Sequence, residues 1–191
     1  MPPDSTATKT RILDAALREF AQYGLAGARV DRIADTASAN KRSIYVYFGN
    51  KAELFDLVVA KALEDMARVV PFTAADLPEY SARLFDYLRA HPEVLRLTTW
   101  AQLERPQPTP AEIDAYRPKV AAIADAQRDG VITSTIDPVN LLAFTISTAT
   151  AWANASPALR SLANAADPQT LFDGHRAAIG VVERAIVSSA V

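Results

Sequence analysis

The chain has 191 residues and a net charge of −2; half of its residues are hydrophobic and none is cysteine. This composition supports a sizeable buried core and argues against intrinsic disorder. The absence of cysteine excludes disulfides and thiolate metal sites and agrees with a reducing cytoplasm, where we expect the protein to reside.

The first part of the chain predicts three helices in quick succession. Apolar residues recur at helical spacing across residues 8–23, which predicts an amphipathic helix that ends at Gly24. A second apolar stripe covers residues 30–37, and polar residues 38–40 interrupt it. Residues 41–48 form a third short segment that is apolar on one side and polar or basic on the other.

A long fourth helix is predicted from residue 50 to about residue 70. Asn50 and Glu53 have the spacing of a capping box, with Asn50 as the N-cap. Apolar residues continue at helical spacing up to Val70, and Pro71 ends the helix.

Beyond Pro71, prolines separate the predicted helices, and residues 105–110 are read as a non-helical connection. Asp137 and Asp167 each precede a proline, which is typical of an N-cap followed by proline at the first helical position. The predicted segments are 76–90, 92–104, 111–128, 138–155 and 168–187. About nine helices and no convincing strand make this an all-α protein.

Residues 138–159 are uncharged, but they contain many polar residues and a proline, so we interpret them as a buried helix and expect no membrane association.

Three short helices followed by a long one, with a polar turn between the second and third, outline a helix-turn-helix domain. We therefore predict a DNA-binding domain at residues 1–52 and a helical bundle for ligand binding and dimerisation at residues 53–191. The charge distribution supports this division. No carboxylate lies between Asp35 and Glu53, a window that contains Lys41, Arg42 and Lys51, whereas acidic residues outnumber basic ones after residue 60.

At these residues the sequence resembles the tetracycline-repressor (TetR) family. The similarity rests on residues 30–55, from Val30-Asp31-Arg32-Ile33-Ala34 through Tyr45-Val46-Tyr47-Phe48-Gly49-Asn50-Lys51, and extends back to residues 8–16 and 20–24. It implies a homodimeric, ligand-responsive repressor whose third helix reads a palindromic operator in double-stranded DNA. The C-terminal part resembles nothing in particular.

The resemblance also implies which residues face DNA. Base-edge contacts are expected from Lys41, Arg42 and Val46. Phosphate contacts are expected from Ser43, Tyr45, Tyr47 and Lys51. Arg29 and Asn40 complete the expected DNA-facing set.

The sequence departs from the family pattern in three ways. Ser38 occupies the turn position where the family usually has glycine, so a non-glycine residue must adopt a left-handed conformation there. Ala28 and Arg29 replace the usual hydroxyl residue at the start of the second helix, which removes one cap and one phosphate contact. Tyr47 stands where histidine is common, and its hydroxyl can still donate to a phosphate.

An effector pocket in a helical bundle is largely apolar with a few polar groups. Two predicted helices carry such residues at one-turn spacing, and ordinary core packing is the alternative for each residue. The candidates are Trp100, Leu103 and Glu104 on one helix, and Phe144, Thr145, Thr148 and Trp152 on the other.

The last two long helices are predicted to form the homodimer interface as a four-helix bundle across a two-fold axis. Small residues on one face of residues 138–155 would permit close approach. They are Ala143, Ser147, Thr150, Ala151 and Asn154.

Nothing in the sequence assembles a catalytic or metal site. There are two histidines, no cysteine and no glycine-rich phosphate loop, so we expect no enzyme activity, no metal and no cofactor. His175 lies on an apolar stripe and is interpreted as a buried or interface histidine.

The predicted function is that of a ligand-responsive transcriptional regulator, with the fourth helix as the link between its two domains. Two alternatives stay open: a helical small-molecule-binding protein that does not bind DNA, and a regulator without an effector. The sequence leaves open the operator, the effector, the regulated genes and the sign of regulation.

Overall fold

A computed structural model describes residues 5–105, 107–163 and 167–188. Within these residues the chain forms ten α-helices and one short 3-10 turn (Ala74–Asp76), and no strand. The all-α prediction is confirmed. The helices are α1 Ser5–Gly27, α2 Val30–Ala37, α3 Lys41–Phe48, α4 Lys51–Val69, α5 Leu77–Ala90, α6 Pro92–Glu104, α7 Pro110–Arg128, α8 Pro138–Asn154, α9 Pro157–Ser161 and α10 Pro168–Val187.

The predicted helix boundaries agree closely with these bounds. The N-caps Asp137 and Asp167 are confirmed, because their carboxylates accept backbone N–H groups from the first turns of α8 and α10. Pro110 begins α7 instead of ending the preceding connection, since proline is tolerated at a first helical position. Residue 106 of that connection lies outside the described residues. Helix α9 was not predicted; its N-cap Ser156 holds a helix of only five residues.

The chain folds into two compact units. The first consists of the described residues of Met1–Met66 and His91–Ile113, and therefore contains α1 to α3, most of α4, and α6. The second consists of the described residues of Ala67–Ala90 and Asp114–Val191, which hold α5, most of α7, and α8 to α10. The predicted boundary at residue 52 remains a prediction about domain function.

The core of the first unit is built from apolar side chains of α1 to α4. Phe20 of α1 and Phe55 of α4 meet edge to face, with ring centroids 5.0 Å apart, and both rings are fully buried. Ile12, Ile33 and Ile44 are also fully buried, as the apolar stripes predicted. Burial of these five side chains fixes α2 and α3 against α1 and α4.

Gly24 divides α1 where the sequence predicted its end. Its backbone has φ 68° and ψ −178°, a conformation essentially restricted to glycine, and a further helical turn follows to Gly27. The Trp100 ring and the Glu104 carboxylate of α6 pack directly against this position, within 3 Å of where a Cβ would stand. The kink therefore depends on glycine both for its backbone angles and for its space.

The carboxylate of Glu104 also satisfies the backbone after the kink. It accepts the N–H of Leu25 and, at 3.2 Å, the N–H of Ala26. At the end of the same helix, Arg105 forms ion pairs with Asp56 of α4 at 2.7 Å and with Glu112 at 2.5 Å. These contacts make α6 an integral part of the first unit.

A separate apolar core holds the second unit together. Leu77, Ile123, Leu141 and Leu142 are buried in one cluster, with Ile132 from the connection between α7 and α8. The side-chain amide of Gln127 closes that connection by donating to the carbonyls of Thr133 and Ile136 at 2.8 and 2.7 Å. Helices α5, α8 and α10 pack against one another beside this cluster.

Candidate nucleic-acid interface

The turn between α2 and α3 is formed by Ser38, Ala39 and Asn40. Ser38 has φ 49° and ψ 48°, so the predicted left-handed serine is confirmed. The N–H of Ser38 donates to the carbonyl of Asp35 at 3.1 Å, and the N–H of Ala39 donates to that of Ala34 at 2.9 Å. The turn thereby satisfies the end of α2 and redirects the chain into α3.

Helix α3 has one buried and one exposed face. Ile44 and Phe48 are buried, whereas Tyr45, Val46 and Tyr47 are 46, 71 and 36 % exposed. Because Tyr45, Val46 and Tyr47 are consecutive on one short helix, their exposed side chains give α3 an accessible face that a binding partner can contact.

The N-terminal turn of α3 presents the polar part of this surface. The Asn40 side chain accepts the backbone N–H of Arg42 at 2.8 Å and caps the helix. The side chains of Lys41 and Arg42 are exposed, and Lys41 forms an ion pair with Asp31 of α2 at 2.7 Å. This pairing raises the pKa of Lys41 and lowers the pKa of Asp31, so Lys41 is a fixed positive charge at the helix start. Ser43 is partly exposed on the same turn.

Two other predicted DNA-facing residues have structural contacts. The Lys51 ammonium, in the first turn of α4, donates to the carbonyls of Ala26 and Ala28 at 3.2 and 3.1 Å. It thus neutralises the end of α1, and its phosphate contact stays a prediction. Arg29 is exposed and precedes α2 without a side-chain cap, as the departure from the family pattern predicted.

A buried carboxylate holds α2 in place, and sequence reasoning missed it. Glu19 of α1 accepts the backbone N–H of Arg29 and the Nε–H of Arg32, both at 2.8 Å. The Arg32 guanidinium also lies 4.2 Å from the centre of the Tyr23 ring. At the other end of α2, Arg11 donates to the carbonyl of Ala37 at 3.1 Å. These contacts join residues nine or more positions apart, so no local sequence motif predicts them.

The start of α4 is fixed by the predicted capping box. The Asn50 side chain accepts the N–H groups of Ala52 and Glu53 at 2.9 and 3.0 Å. In return, the Glu53 carboxylate accepts the N–H of Asn50 at 2.7 Å. These reciprocal hydrogen bonds confirm the predicted capping box and fix the residue at which α4 begins.

The predicted effector-pocket residues do not all belong to one unit. Trp100, Leu103 and Glu104 are in α6 of the first unit, where Leu103 is 72 % exposed and Glu104 binds the α1 backbone. Phe144, Thr148 and Trp152 follow one another on α8 of the second unit. Their assignment to a pocket stays a prediction. His175 of α10 lies between the rings of Phe85 and Trp152, with ring-centre distances of 5.1 and 5.4 Å.

Among the described residues, no cluster of His, Asp or Glu has the arrangement of a metal site. The helices that the structure describes include none that is long and apolar enough to cross a membrane.

Comparison with known proteins matches nearly the whole chain to one family. The family model for bacterial regulatory proteins of the tetR family matches residues 12–58, and the model for tetracyclin repressor-like C-terminal domains matches residues 76–184. The HTH-type transcriptional repressor SCO4008 of Streptomyces coelicolor is 45 % identical over 189 residues, which cover 96 % of this chain and 97 % of the relative. The chain belongs to the TetR family.

Solved structures agree with this membership. The transcriptional regulator SCO4942 of Streptomyces coelicolor superposes with a TM-score of 0.83 at 35 % identity, covering 94 % of this chain and 98 % of that one. A TetR-family regulator from Marinobacter aquaeolei has the same fold, with a TM-score of 0.77 at 16 % identity over 99 % of this chain and all of the other. This TetR-family chain is therefore a helix-turn-helix transcriptional regulator. TetR-family regulators bind DNA operators, generally as dimers, and respond to small-molecule effectors, and the family is typically non-enzymatic.

Proposed function

We propose that the protein is a repressor that binds a palindromic operator as a homodimer and releases it when an effector binds. The observation that carries the proposal is the division of α3 into a buried face and an exposed face. Ile44 and Phe48 anchor the helix, while Arg42 and Val46 are exposed and Lys41 is exposed in an ion pair with Asp31.

The exposed face of α3 suits the major groove of DNA. Lys41 and Arg42 can donate to guanine acceptors, and Val46 can contact a thymine methyl group. Ser43, Tyr45 and Tyr47 carry hydroxyls that can donate to phosphate oxygens. Two copies of α3, about one helical turn of DNA apart, would read the two halves of a palindrome.

The homodimer is proposed to form through α8 and α10. On α8 the predicted residues Ala143, Ser147, Ala151 and Asn154 are exposed, and Thr150 is partly exposed. The corresponding exposed face of α10 is also small or apolar; its residues are Gly174, Ala178, Val181, Val182 and Ala185. Such faces favour close helix approach in a four-helix bundle. A charge at the centre of this face, as in Val181→Asp, should convert the dimer to monomers in sedimentation velocity.

The effector is proposed to bind in the second unit, at the stripe of Phe144, Thr148 and Trp152 on α8. The dimer is proposed to have two geometries, one in which the recognition helices match the spacing of the DNA grooves and one in which they do not. An effector that binds the second geometry more tightly lowers operator affinity, and its preference for that geometry limits the size of the effect.

The test of DNA binding is a fluorescence anisotropy titration of labelled DNA from upstream of the protein's own gene, at several salt concentrations. We expect saturable binding that outcompetes random DNA and weakens as salt rises. The double variant Lys41→Glu/Arg42→Glu should lose on the order of 100-fold or more in affinity, because it removes base contacts and adds repulsion from phosphate.

A matched control keeps the same change in net charge. Arg117→Glu/Arg128→Glu alters two exposed arginines of α7, each 73 % exposed, and should leave operator affinity nearly unchanged at physiological salt. Equal losses of operator affinity in the two double variants would show that binding is non-specific electrostatic attraction. Absence of binding in the unmodified protein would favour a helical ligand-binding protein instead.

A further inference from the structure

One carboxylic acid in the second unit is buried without the partners that burial requires. Glu183 of α10 is 0 % exposed, and its Oε1 has no hydrogen-bond partner. Its Oε2 lies 3.2 Å from the hydroxyl of Thr145, and its carboxyl also contacts the hydroxyl of Thr148, both on α8. A fully buried acid with an unused acceptor costs folding free energy.

The two threonines cannot complete the coordination of an ionised carboxylate. The Thr145 hydroxyl lies 3.0 Å from the carbonyl of Leu141, and the Thr148 hydroxyl lies 2.9 Å from that of Phe144. Each hydroxyl has one proton, which it shares between the carbonyl four residues back and the Glu183 carboxyl. Burial is the largest influence on the pKa of Glu183 and raises it, and the hydrogen bonds from Thr145 and Thr148 lower it by less. Oε1 then still lacks a donor.

No positive side chain within the described residues pairs with Glu183. Helix α8, which packs against it, contains no charged residue. On α10 the guanidinium of Arg176 is occupied by Asp86 and Glu79 of α5, at 2.8 and 3.6 Å. Glu183 is therefore not half of an internal ion pair, and stability does not explain its presence.

The side of α8 that contacts Glu183 carries partly exposed and aromatic residues. Thr148, which touches its carboxyl, is only partly buried, and Phe144, one turn before it on α8, is 51 % exposed. One turn after Thr148 comes Trp152, whose ring lies 5.4 Å from that of His175. The Nε2 of His175 is a second buried atom without a partner. Thr148 and Trp152 lie on a different side of α8 from the small residues proposed for the dimer interface, and Phe144 borders those residues.

We propose that Glu183 is the anchor for a cationic aromatic effector, which lies along Phe144, Thr148 and Trp152 and places its positive nitrogen beside Oε1. The inference rests on the effector site of the proposed function and specifies the chemistry of its ligand. A cation supplies the missing charge partner, and the aromatic stripe stabilises both its positive charge and its apolar body. A neutral or anionic ligand of the same shape leaves Oε1 unpaired or repels it, so the site selects for positive charge.

The experiment uses three naphthalene probes of similar size on the full-length protein. They are trimethyl(2-naphthyl)ammonium, its neutral carbon isostere 2-tert-butylnaphthalene, and the anion naphthalene-2-sulfonate. Isothermal titration calorimetry should show the cation binding about 10-fold or more tightly than the neutral probe, with the anion weakest. Equal affinity for cation and neutral probe overturns the proposal.

Glu183→Gln keeps the shape of the side chain and removes its ability to ionise. The cation should lose about 10-fold or more in affinity and the neutral probe should lose little. Asp173→Asn removes an exposed carboxylate from the same helix and should change neither affinity. Retained preference for the cation in Glu183→Gln contradicts the assignment.

A second variant keeps the test decisive if Glu183→Gln fails to fold. Thr148→Lys at its partly exposed position tethers an ammonium beside Glu183, and it should abolish binding of the cationic probe. Undiminished cation binding in this variant overturns the proposal.

Operator binding without any probe, measured by anisotropy, distinguishes failure of the proposed function from failure of the Glu183 assignment. If the unmodified protein does not bind the operator, the proposed function is wrong. If it binds the operator but shows no preference for the cationic probe, only the assignment of Glu183 is wrong.

Discussion

Each of the two units buries one glutamate among the described residues, and the two carboxyl groups differ in their bonding partners. Glu19 of the first unit accepts the Arg29 N–H and is paired with the guanidinium of Arg32 at 2.6 Å. Glu183 of the second unit has only threonine hydroxyls beside it and an oxygen without a partner. The carboxylate of Glu19 therefore has a charged partner, whereas Oε1 of Glu183 still lacks a donor or a cation.

This difference matches the tasks proposed for the two units. A DNA-reading surface must be held in its productive geometry before it meets its target, and the carboxylates of Glu19, Glu53 and Glu104 do this by binding backbone N–H groups. A sensing unit must change its free energy when a ligand arrives, and a buried group that lacks its partner supplies such a change.

The tryptophans allow the units to be followed separately. Trp100 is in the first unit and Trp152 is in the second, and the sequence has no other tryptophan. A Trp152→Phe background therefore reports the first unit by fluorescence, and a Trp100→Phe background reports the second.

The largest expected effect tests how tightly the first unit is packed. Gly24→Ala places a Cβ 2.8 Å from the Trp100 ring at a backbone conformation that alanine rarely adopts. We expect the free energy of unfolding to fall by about 3 kcal/mol, measured by urea unfolding of the first unit. Gly27→Ala is the control: its Cβ would meet nothing closer than 3.4 Å, and its effect should stay within about 1 kcal/mol. Similar effects at the two glycines would mean that the kink relaxes freely.

A matched pair of substitutions addresses the two buried glutamates directly. Glu19→Gln loses the ion pair to Arg32 and leaves buried groups poorly matched, so we expect a loss of about 2 kcal/mol in the first unit. Glu183→Gln replaces a buried carboxyl group that has no charge partner with an amide of the same shape, which can donate to the threonine oxygens. Its effect on the second unit at neutral pH should be no worse than about 0.5 kcal/mol. Equal losses would erase the contrast drawn between the two units.

The pH dependence of the second unit sharpens the same contrast. Burial raises the folded-state pKa of Glu183 above its ordinary value of 4.5, so its stabilising contribution is complete below that value and is lost as pH rises through the raised pKa. Each unit of pKa increase corresponds to about 1.4 kcal/mol. Urea unfolding of the second unit from pH 4.5 upward should show a decline that Glu183→Gln removes.

His175 is a second titrating group in this unit, and desolvation lowers its pKa. It is present in both the parent and the Glu183→Gln variant, so its contribution cancels when their pH curves are compared. Parallel pH curves for Glu183→Gln and the parent would exclude a raised pKa for Glu183.

The smallest expected effect concerns the turn of the DNA-reading motif. Ser38→Gly relieves a left-handed backbone conformation and should stabilise the first unit by about 0.5–1 kcal/mol in urea unfolding. Ala39→Gly, at the neighbouring position without a positive φ, should instead destabilise it slightly. Operator affinity should not change in Ser38→Gly, because the replaced hydroxyl is not part of the proposed DNA contact.

Local signals were sufficient to predict much of this structure. The capping box of α4, the left-handed Ser38 and the proline starts of α8 and α10 each depend on residues within a few positions of one another. The exposed and buried faces of α3 followed from apolar spacing.

Contacts between distant parts of the chain could not be predicted in this way. Glu19 with Arg32, Lys51 with the carbonyls of Ala26 and Ala28, and the Glu104 carboxylate with the α1 backbone all depend on tertiary packing. Glu183 is different, because the sequence contained a signal that was not used. It follows Ile179 by four residues and His175 by eight, and so lies on the apolar stripe of α10, where an acid is out of place.

The exposed surface of α3 has one consequence for how such regulators diversify. In the described structure the Arg42 guanidinium has no ion pair or hydrogen bond, and Val46 is 71 % exposed, so neither side chain contributes to holding α3 in place. After a gene duplication, substitutions at these two positions could therefore explore new operator sequences without a folding penalty, while Ile44 and Phe48 preserve the scaffold that presents them.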